Sequence, residues 1–407
     1  MRDDVVVVTG LGVLSSLGTG PEVFVEGLLA GRTGLEPVSR FSTEGCHSHT
    51  AGLVRDFDPS RYVDPLKLRR LDEMGRLALV ACRLAADDAR MPAGTEGVGI
   101  VLGSANAGMH STIRHLHALA TTGPAGVPAL GFSNTVGNAA ASLCAIDLGL
   151  RGPNLTVVQK QASGLAAVVI ATGLVREDRG AAFLCGGTDD IEEHAFRIYD
   201  RFGPLSGSDG RAEASRPFCA ERNGFVLGTG GHLMMLERAA AAARRGVAPY
   251  GEILGTGAAA SECKPAAWPT QPDGIVRAMR AALQDAGIQP ADVSVVFASA
   301  NSTPALDRVE TLAVEQVFGP WGVLVVSIKG AVGEYGAAGS ASLIAALLCL
   351  ARGVVPPTLG CEPVDPAFRV DVSATARQVD GRIALVNSSA DGGAHYSIIV
   401  RAASSPH

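Results

Sequence analysis

The chain has 407 residues, of which 47% are hydrophobic, 18% charged and 5% aromatic, and its formal net charge is -6. That length predicts two or three structural units, or one large body in two parts. The negative charge argues against nucleic-acid binding, and the most apolar helical run, residues 343–351, is much shorter than the ~20 residues of a membrane span. Residues 1–10 are acidic and lead directly into a strand, so we expect no signal peptide and predict a cytoplasmic protein.

The eight cysteines form no C-x-x-C pair, and several lie within apolar runs. This distribution is typical of buried thiols in a reducing compartment. His47 and His49 lie beside Cys46, but the sequence offers no second pair of metal ligands to go with them, so a surface loop is a better interpretation than a zinc site. Neither a metal nor a nucleotide cofactor is predicted.

Strand and helix patterns alternate along the chain. In the first part, strands are predicted over residues 5–9, 98–102, 155–158, 182–185 and 231–237, and helices over 21–30, 72–89, 111–121, 138–149 and 163–176. In the second part, strands are predicted over residues 293–298, 324–328, 382–386 and 396–401, and helices over 274–287, 306–318 and 339–352. The alternation favours a mostly parallel α/β sheet. We place a boundary near Pro249, which gives halves of residues 1–248 and 249–407, and residues 324–386 weakly repeat the order of 155–187.

Two short motifs have ordinary structural interpretations. Gly10 and Gly12 follow the first strand, but Ser15 occupies the third glycine position of a dinucleotide-binding loop, so we predict a structural turn. An acidic cluster at residues 189–194, which ends in His194, is predicted to cap a helix.

A sharp turn between the strand at 155–158 and the helix from Ser163 presents Gln161 at its tip. Such an elbow exposes its tip side chain at a helix N-terminus, where a cysteine would become a reactive thiolate. A carboxamide cannot act as a nucleophile, although it donates and accepts hydrogen bonds. The alternative is that Gln161 simply caps the helix.

Several motifs together resemble the ketosynthase family, the condensing enzymes of fatty-acid and polyketide synthesis. The resemblance covers nearly the whole chain and is carried by residues 6–18, 152–153, 163–165, 216–228, 327–333 and 392–393, which include R-P-F-x-x-x-R-x-G-F-V-x-G and S-x-K-x-x-x-G. It implies a thiolase-like α/β fold in which two pseudo-repeated halves form a five-layer α-β-α-β-α body.

The departures from the family pattern lie at its catalytic positions. The resemblance places Gln161 at the cysteine that carries the acyl chain, and Ser299 and Glu334 at the two histidines that stabilise the enolate. Lys329 and Glu310 are retained, whereas Thr229 replaces an acidic residue. A negatively charged Glu334 would repel both malonyl carboxylate and enolate, so neither condensation nor decarboxylation is expected here.

A sequence in which the catalytic cysteine and both histidines are replaced resembles the chain-length factor, the inactive ketosynthase-like subunit of bacterial type II polyketide synthases. The resemblance implies a heterodimer with an active ketosynthase, an acyl carrier protein as a further partner, and a growing polyketide chain in a tunnel at the interface. It also implies that one helix, at residues 108–119, gates the tunnel. Met109, Thr112 and Leu116 share one face of that helix, and Phe132 is a further candidate; the alternative is that these side chains belong to an ordinary core.

Other functions remain open. One is a divergent ketosynthase or malonyl-carrier decarboxylase, and another is a homodimeric scaffold that holds acyl chains or carrier proteins. The basic cluster at residues 67–70 is either a solvated surface or a docking site for an acidic carrier protein.

Overall fold

The computed structural model describes residues 5–127 and 129–404. Its elements up to residue 248 are β1 (Val6–Ser15), β2 (Gly18–Thr19), α1 (Pro21–Leu29), β3 (Glu36–Pro37), β4 (Thr50–Gly52), α2 (Pro65–Leu68), α3 (Glu73–Asp88), β5 (Val98–Gly103), α4 (Met109–Thr122), α5 (Ala129–Phe132), α6 (Ala139–Leu148), β6 (Asn154–Val157), α7 (Ser163–Arg176), β7 (Ala182–Asp189), α8 (Glu193–Phe202), β8 (Leu227–Gly228), β9 (Gly230–Arg238) and α9 (Ala239–Arg245).

The remaining elements are β10 (Gly251–Ala260), α10 (Asp273–Ala286), β11 (Val295–Phe297), α11 (Pro304–Phe318), β12 (Leu324–Val326), α12 (Lys329–Val332), α13 (Ala338–Ala351), β13 (Val354–Val355), β14 (Asp371–Val372), β15 (Arg377–Gln378), β16 (Ile383–Ser389) and β17 (Ala394–Ala402). Each strand and helix predicted from the sequence overlaps one of these elements.

The main sheet is mixed, with the strand order β14-β12-β11-β16-β17-β10-β1-β9-β7-β5-β6. Pairs at its two ends are parallel, whereas every pair from β16 through β7 is antiparallel. The prediction of a mostly parallel sheet was therefore wrong. A short turn at residues 390–393 joins β16 to β17, and a connection of that length permits only an antiparallel pair.

The two halves repeat the same topology. The order β6-β5-β7-β9-β1 in the first half matches β12-β11-β16-β17-β10 in the second, and α7 and α13 occupy equivalent positions after β6 and β12. The halves join where β1 pairs with β10 over three residues, Val6 to Val8. This arrangement confirms the predicted pseudo-repeat.

Helices and sheet form five layers. The central layer contains α7 and α13, whose buried apolar residues pack in one core with strands of both halves. Helices α3 and α6 cover the outer face of the first half, and α10 and α11 cover that of the second. The completely buried α13 explains why its sequence is apolar on every face.

Gly10 and Gly12 lie inside β1 rather than in a turn, so the predicted turn was wrong. A Cβ at Gly10 would lie 2.2 Å from the carbonyl oxygen of Ala85, and one at Gly12 would lie 1.9 Å from that of Ala81. Both glycines are required because α3 packs directly on the backbone of β1.

Candidate functional site

The elbow is formed by β6, a 3₁₀ turn at Lys160–Ala162 and the start of α7 at Ser163. Lys160 has φ of 47°, a left-handed conformation that ordinary residues adopt at a cost. The hydroxyl of Ser163 stabilises the turn, because it accepts from the amide of Gln159 at 2.9 Å and donates to the carbonyl of Lys160 at 2.7 Å.

Gln161 is buried at the elbow and contacts the turn between β16 and β17. Its Nε2 donates to the carboxylate of Asp391 at 3.0 Å, and its Oε1 accepts from the amide of Asp391 at 3.3 Å. Lys160 also forms an ion pair with Asp391. Since no side chain caps α7, the interpretation of Gln161 as a helix cap was wrong, and its role here is to join the two halves.

Ser299 follows β11 and forms several hydrogen bonds within the protein. Its amide donates to Glu310 at 2.8 Å, its hydroxyl accepts from the amide of Ser389 at 2.9 Å, and its carbonyl accepts from the ammonium of Lys329 at 2.7 Å. The side chain is fully buried. A serine in this position therefore supports the local fold.

Glu334 lies in a buried ion pair with Lys329. The ammonium is 2.6 Å from Oε2 of Glu334, and Nδ2 of Asn301 donates to the same oxygen at 2.7 Å. Burial raises the pKa of Glu334, while the contacts with Lys329 and Asn301 oppose that rise. The expected repulsive carboxylate is thus compensated by a cation inside the same site.

One strand connects the three altered positions. In β16, Ser388 donates to the carbonyl of Gln161 at 3.3 Å, and the next residue, Ser389, donates its amide to Ser299. Lys329 then links Ser299 to Glu334. The fold therefore brings together the positions predicted from the sequence, and each of their polar side chains is engaged in contacts within the chain.

Two buried carboxylates of α11 support this network. Glu310 accepts from the side-chain Nδ2 of Asn387 at 3.0 Å, and Asp307 accepts from the backbone amides of Phe218 and Asn301, each at 2.9 Å. Burial raises the pKa of Asp307 to about 7. Arg222 pairs with Asp365 at 2.8 Å.

The predicted gating side chains lie on the surface of the chain. Met109 and Leu116 in α4 are 36% and 56% exposed, and Phe132, at the end of α5, is 60% exposed. Thr112 is partly buried and donates to the carbonyl of Thr135 at 3.2 Å. Met109, Leu116 and Phe132 therefore do not belong to a core formed by this chain alone.

Other candidate clusters have structural roles. His47 contacts Asp200 at 3.1 Å, and Glu192 caps α8 by accepting from the amide of Ala195 at 3.0 Å, which agrees with the predicted cap. Within residues 5–127 and 129–404, no group of three or more His, Cys, Asp or Glu side chains is arranged to hold a metal ion.

Sequence reasoning missed several contributors. Asp391 accepts a hydrogen bond from Gln161, and Asn301 donates one to Glu334. The ring of His232 packs against that of Tyr335, with centroids 5.8 Å apart. Burial lowers the pKa of His232 to about 3, so the ring is neutral. An aspartate immediately before Gly392-Gly393 was the available signal for Asp391, whereas nothing local in the sequence indicates that it contacts residue 161.

Both halves match known protein families. Residues 3–242 match the beta-ketoacyl synthase N-terminal domain, and residues 250–362 match the beta-ketoacyl synthase C-terminal domain. The chain belongs to the beta-ketoacyl synthase family and has its thiolase-like fold.

Relatives extend this likeness over the full length. A 3-oxoacyl-[acyl-carrier-protein] synthase 2 from Synechocystis sp. is 32% identical over 397 residues, covering 95% of each chain. The protein of the same name from Coxiella burnetii is 30% identical over 404 residues, covering 97% of this chain and 98% of the relative.

Solved structures include relatives from polyketide synthesis. The ishigamide ketosynthase/chain length factor has a TM-score of 0.91 and 32% identity, covering 98% of this chain and 99% of the other. A ketosynthase in complex with its type II polyketide synthase acyl carrier protein and bound to the hexaketide has a TM-score of 0.88 and 25% identity, with the same coverage. Among the described residues of this chain, no helix is long and apolar enough to cross a membrane.

Proposed function

We propose that the chain is the non-catalytic, chain-length-determining subunit of a type II β-ketoacyl synthase, and that it forms a heterodimer with an active ketosynthase. The observation that carries the proposal is the buried Lys329–Glu334 ion pair at 2.6 Å, which occupies one position where the family places a catalytic histidine. We also propose that residues 1–248 and 249–407 are its two ketosynthase-like halves.

The site lacks the groups that condensation requires. Acyl transfer needs a thiolate at the elbow, and decarboxylation needs donors that stabilise an enolate. Gln161 has no ionisable group and is tied to Asp391, and the hydroxyl of Ser299 accepts from a backbone amide. Glu334 brings a carboxylate that is already paired, so the reaction requires a second chain that carries these groups.

Exposed apolar side chains support association with another chain. Leu155 and Val158 are 40% and 56% exposed beside the edge strand β6, and Ile146 in α6 is 78% exposed. Within the described residues, β6 pairs on one side only, with β5. An open strand edge next to apolar side chains favours pairing with a strand of another protein.

The proposed gating helix also carries exposed apolar side chains. Met109 and Leu116 in α4 and Phe132 in α5 are only partly covered within this chain. In a heterodimer they would form one wall of a tunnel for the growing polyketide, with the partner supplying the other. Met and Leu are slim and flexible, so the wall tolerates an extended, unbranched chain.

A basic groove suits the acyl carrier protein. A cavity of about 340 Å³ lies beside α4 and is lined by Arg69, Arg70, Arg114 and His115. Asp72 also borders it, but its carboxylate is used by the amide of Gly75 and the hydroxyl of Ser111. Arginine side chains bind acidic surfaces well, and these are therefore the residues proposed to contact the carrier.

Native mass spectrometry of this chain co-expressed with the ketosynthase encoded beside it tests the proposal. We expect a one-to-one complex in which, after incubation with acyl and malonyl carrier protein, the acyl group is found on the partner alone. A homodimer of this chain that does not bind the ketosynthase would support the scaffold hypothesis instead.

A second candidate is a divergent synthase, which the names of the curated relatives favour. It predicts loss of carbon dioxide from malonyl carrier protein by the isolated chain. A Lys329→Met variant is the matched control for that assay, because it removes the buried ammonium that pairs with Glu334. Decarboxylation that disappears in the variant would exclude the non-catalytic function.

A further inference from the structure

A single buried carboxylate holds the segment that leads into the gating helix. Asp189 is the last residue of β7 and is fully buried. Its Oδ1 accepts from the hydroxyl of Ser104 at 2.8 Å and from the amides of Ala105 and Asn106 at 2.9 and 3.0 Å. Within the described residues, no lysine or arginine forms an ion pair with it. Burial raises the pKa of Asp189 to about 7, and these hydrogen bonds oppose that rise.

The segment of residues 104–106, which Asp189 holds, is joined to Met109 by a backbone hydrogen bond. The carbonyl of Asn106 accepts from the amide of Met109 at 3.0 Å, and α4 begins at that residue. The cap position is Gly108, which has φ of 72° and provides no side-chain hydrogen bond to the helix. Asp189 therefore restrains, through Asn106, the start of α4, where no side chain caps the helix.

The space around Asp189 leaves little room for adjustment. A Cβ on Gly336 would lie 2.4 Å from Oδ2 of Asp189 and 2.6 Å from the amide of Ala105. Gly336 lies two residues after Glu334, so the same contact joins the altered site to the start of α4. Such close packing fixes the end of β7 at Asp189, the segment at Ala105 and the backbone at Gly336 relative to one another.

The first turn of α4 has two further attachments, made by its own side chains. Ser111 donates to the carboxylate of Asp72 at 2.7 Å, and Thr112 donates to the carbonyl of Thr135 at 3.2 Å. Loss of Asp189 would consequently loosen residues 105–109. The amide of Ser104 would stay bonded to the carbonyl of Val157, and Ser111 and Thr112 would stay attached.

We infer that Asp189 is a positioning residue that fixes where Met109 stands in the tunnel wall and thereby sets the length of the product. The inference rests on the proposed function, because it needs Met109 to line a tunnel. The carboxylate itself does not touch the polyketide, so its effect is on the distribution of chain lengths more than on the rate.

The test uses the heterodimer with its ketosynthase and acyl carrier protein, supplied with malonyl carrier protein, and measures products by liquid chromatography and mass spectrometry. In Asp189→Ala, the ratio of native-length to other products should fall by at least about fivefold, since the loss of even one of the three hydrogen bonds, worth about 1 kcal/mol, changes a population by that factor. Asp189→Asn keeps one acceptor oxygen and should restore part of the ratio.

Asp190→Asn is the matched control. The Asp190 side chain pairs with Arg40, and the hydrogen bond between Asp190 and Asn106 uses the Asp190 backbone carbonyl, which the substitution keeps, so product lengths should stay unchanged. Hydrogen exchange gives a second measurement that requires no activity: the amides of Ala105 and Asn106 should exchange faster in Asp189→Ala, while those of α13 keep their protection.

The Met109→Trp variant distinguishes failure of the proposed function from failure of the inference about Asp189. If Met109→Trp changes the product length and Asp189→Ala does not, the inference about Asp189 is overturned while the proposed function stands. If neither variant changes it, both fail. Unchanged exchange at Ala105 and Asn106 in Asp189→Ala overturns the inference irrespective of any product.

Discussion

The ammonium of Lys329 lies 2.6 Å from the carboxylate of Glu334, and each side chain is only 2% exposed. Five positions separate the two residues, and the pair closes around the short helix α12. Asn301 donates to the same carboxylate oxygen. The position that the family resemblance matches to a catalytic histidine is therefore part of a buried polar core, with consequences for stability that can be measured.

Breaking this ion pair should destabilise the protein. Glu334→Leu leaves the ammonium of Lys329 buried without its counter-charge, and such a loss costs about 3–5 kcal/mol in free energy of unfolding. Urea denaturation of the isolated chain measures the change. Glu252→Leu is the control, because the exposed Glu252–Arg401 pair should contribute only about 0–1 kcal/mol. If Glu334→Leu and Glu252→Leu lower the free energy of unfolding equally, the buried ion pair does not have the stabilising role predicted for it.

Restoring a cysteine at the elbow should not restore condensation. Gln161→Cys supplies a thiol, but Ser299 and the paired Glu334 cannot stabilise an enolate. Incubation with acyl and malonyl carrier protein should yield no 3-ketoacyl product above the level of Gln161→Ser, which is the matched control. Turnover by the cysteine variant alone would show that the site retains its catalytic power.

Filling the proposed tunnel should shorten the product. Met109→Trp and Leu116→Trp add volume to side chains that are exposed on one face of α4, so the heterodimer should release shorter polyketides at a similar total rate. Thr121→Trp lies on another face near the end of the same helix and should leave the product unchanged. Equal product lengths in all three variants would remove α4 from the gating function.

The buried His232 should make the protein sensitive to acid. Burial lowers its pKa from 6.5 to about 3, so the folded state holds the ring neutral while the unfolded state binds a proton below 6.5. Its contribution to stability is complete above that value and is lost as the pH falls from 6.5 toward 3, at up to about 1.4 kcal/mol per pH unit.

His232→Phe should flatten this part of the pH profile. Phenylalanine can keep the ring contact with Phe24, whose centroid lies 5.4 Å away, and it carries no titratable group. Denaturation at about pH 7 and pH 5 measures the slope, and His117→Phe, at an exposed position of α4, provides the comparison. A slope that persists in His232→Phe would assign the acid sensitivity to other groups.

The sequence predicted the individual strands and helices because apolar periodicity and strand-to-helix alternation are local properties, whereas the five layers were implied by the family resemblance. The strand at 182–185 and the helix at 163–176 required only their own residues. The direction of β9 and β17 could not be predicted in the same way, because it depends on which strands become neighbours. Gly10 and Gly12 were misassigned to a turn because the reason for them is the backbone of α3, more than 60 residues away.

At the candidate site, family resemblance identified Gln161, Ser299 and Glu334, and the fold brings them into one network. It did not identify their partners. Asp391 contacts Gln161 across 230 positions, and Asn301 reaches Glu334 across 33. Long-range pairs of this kind leave no periodic signal, and a polar residue beside a glycine pair has many local explanations.

The central layer bears on how the chain would behave if it were divided. Helix α7 belongs to the first half and α13 to the second, yet both pack in one core with strands from both halves. A fragment that ends near residue 248 would leave a wide apolar face of α7 in water. Although the two halves repeat one topology, neither contains a complete core, so we expect them to fold and unfold as one cooperative unit.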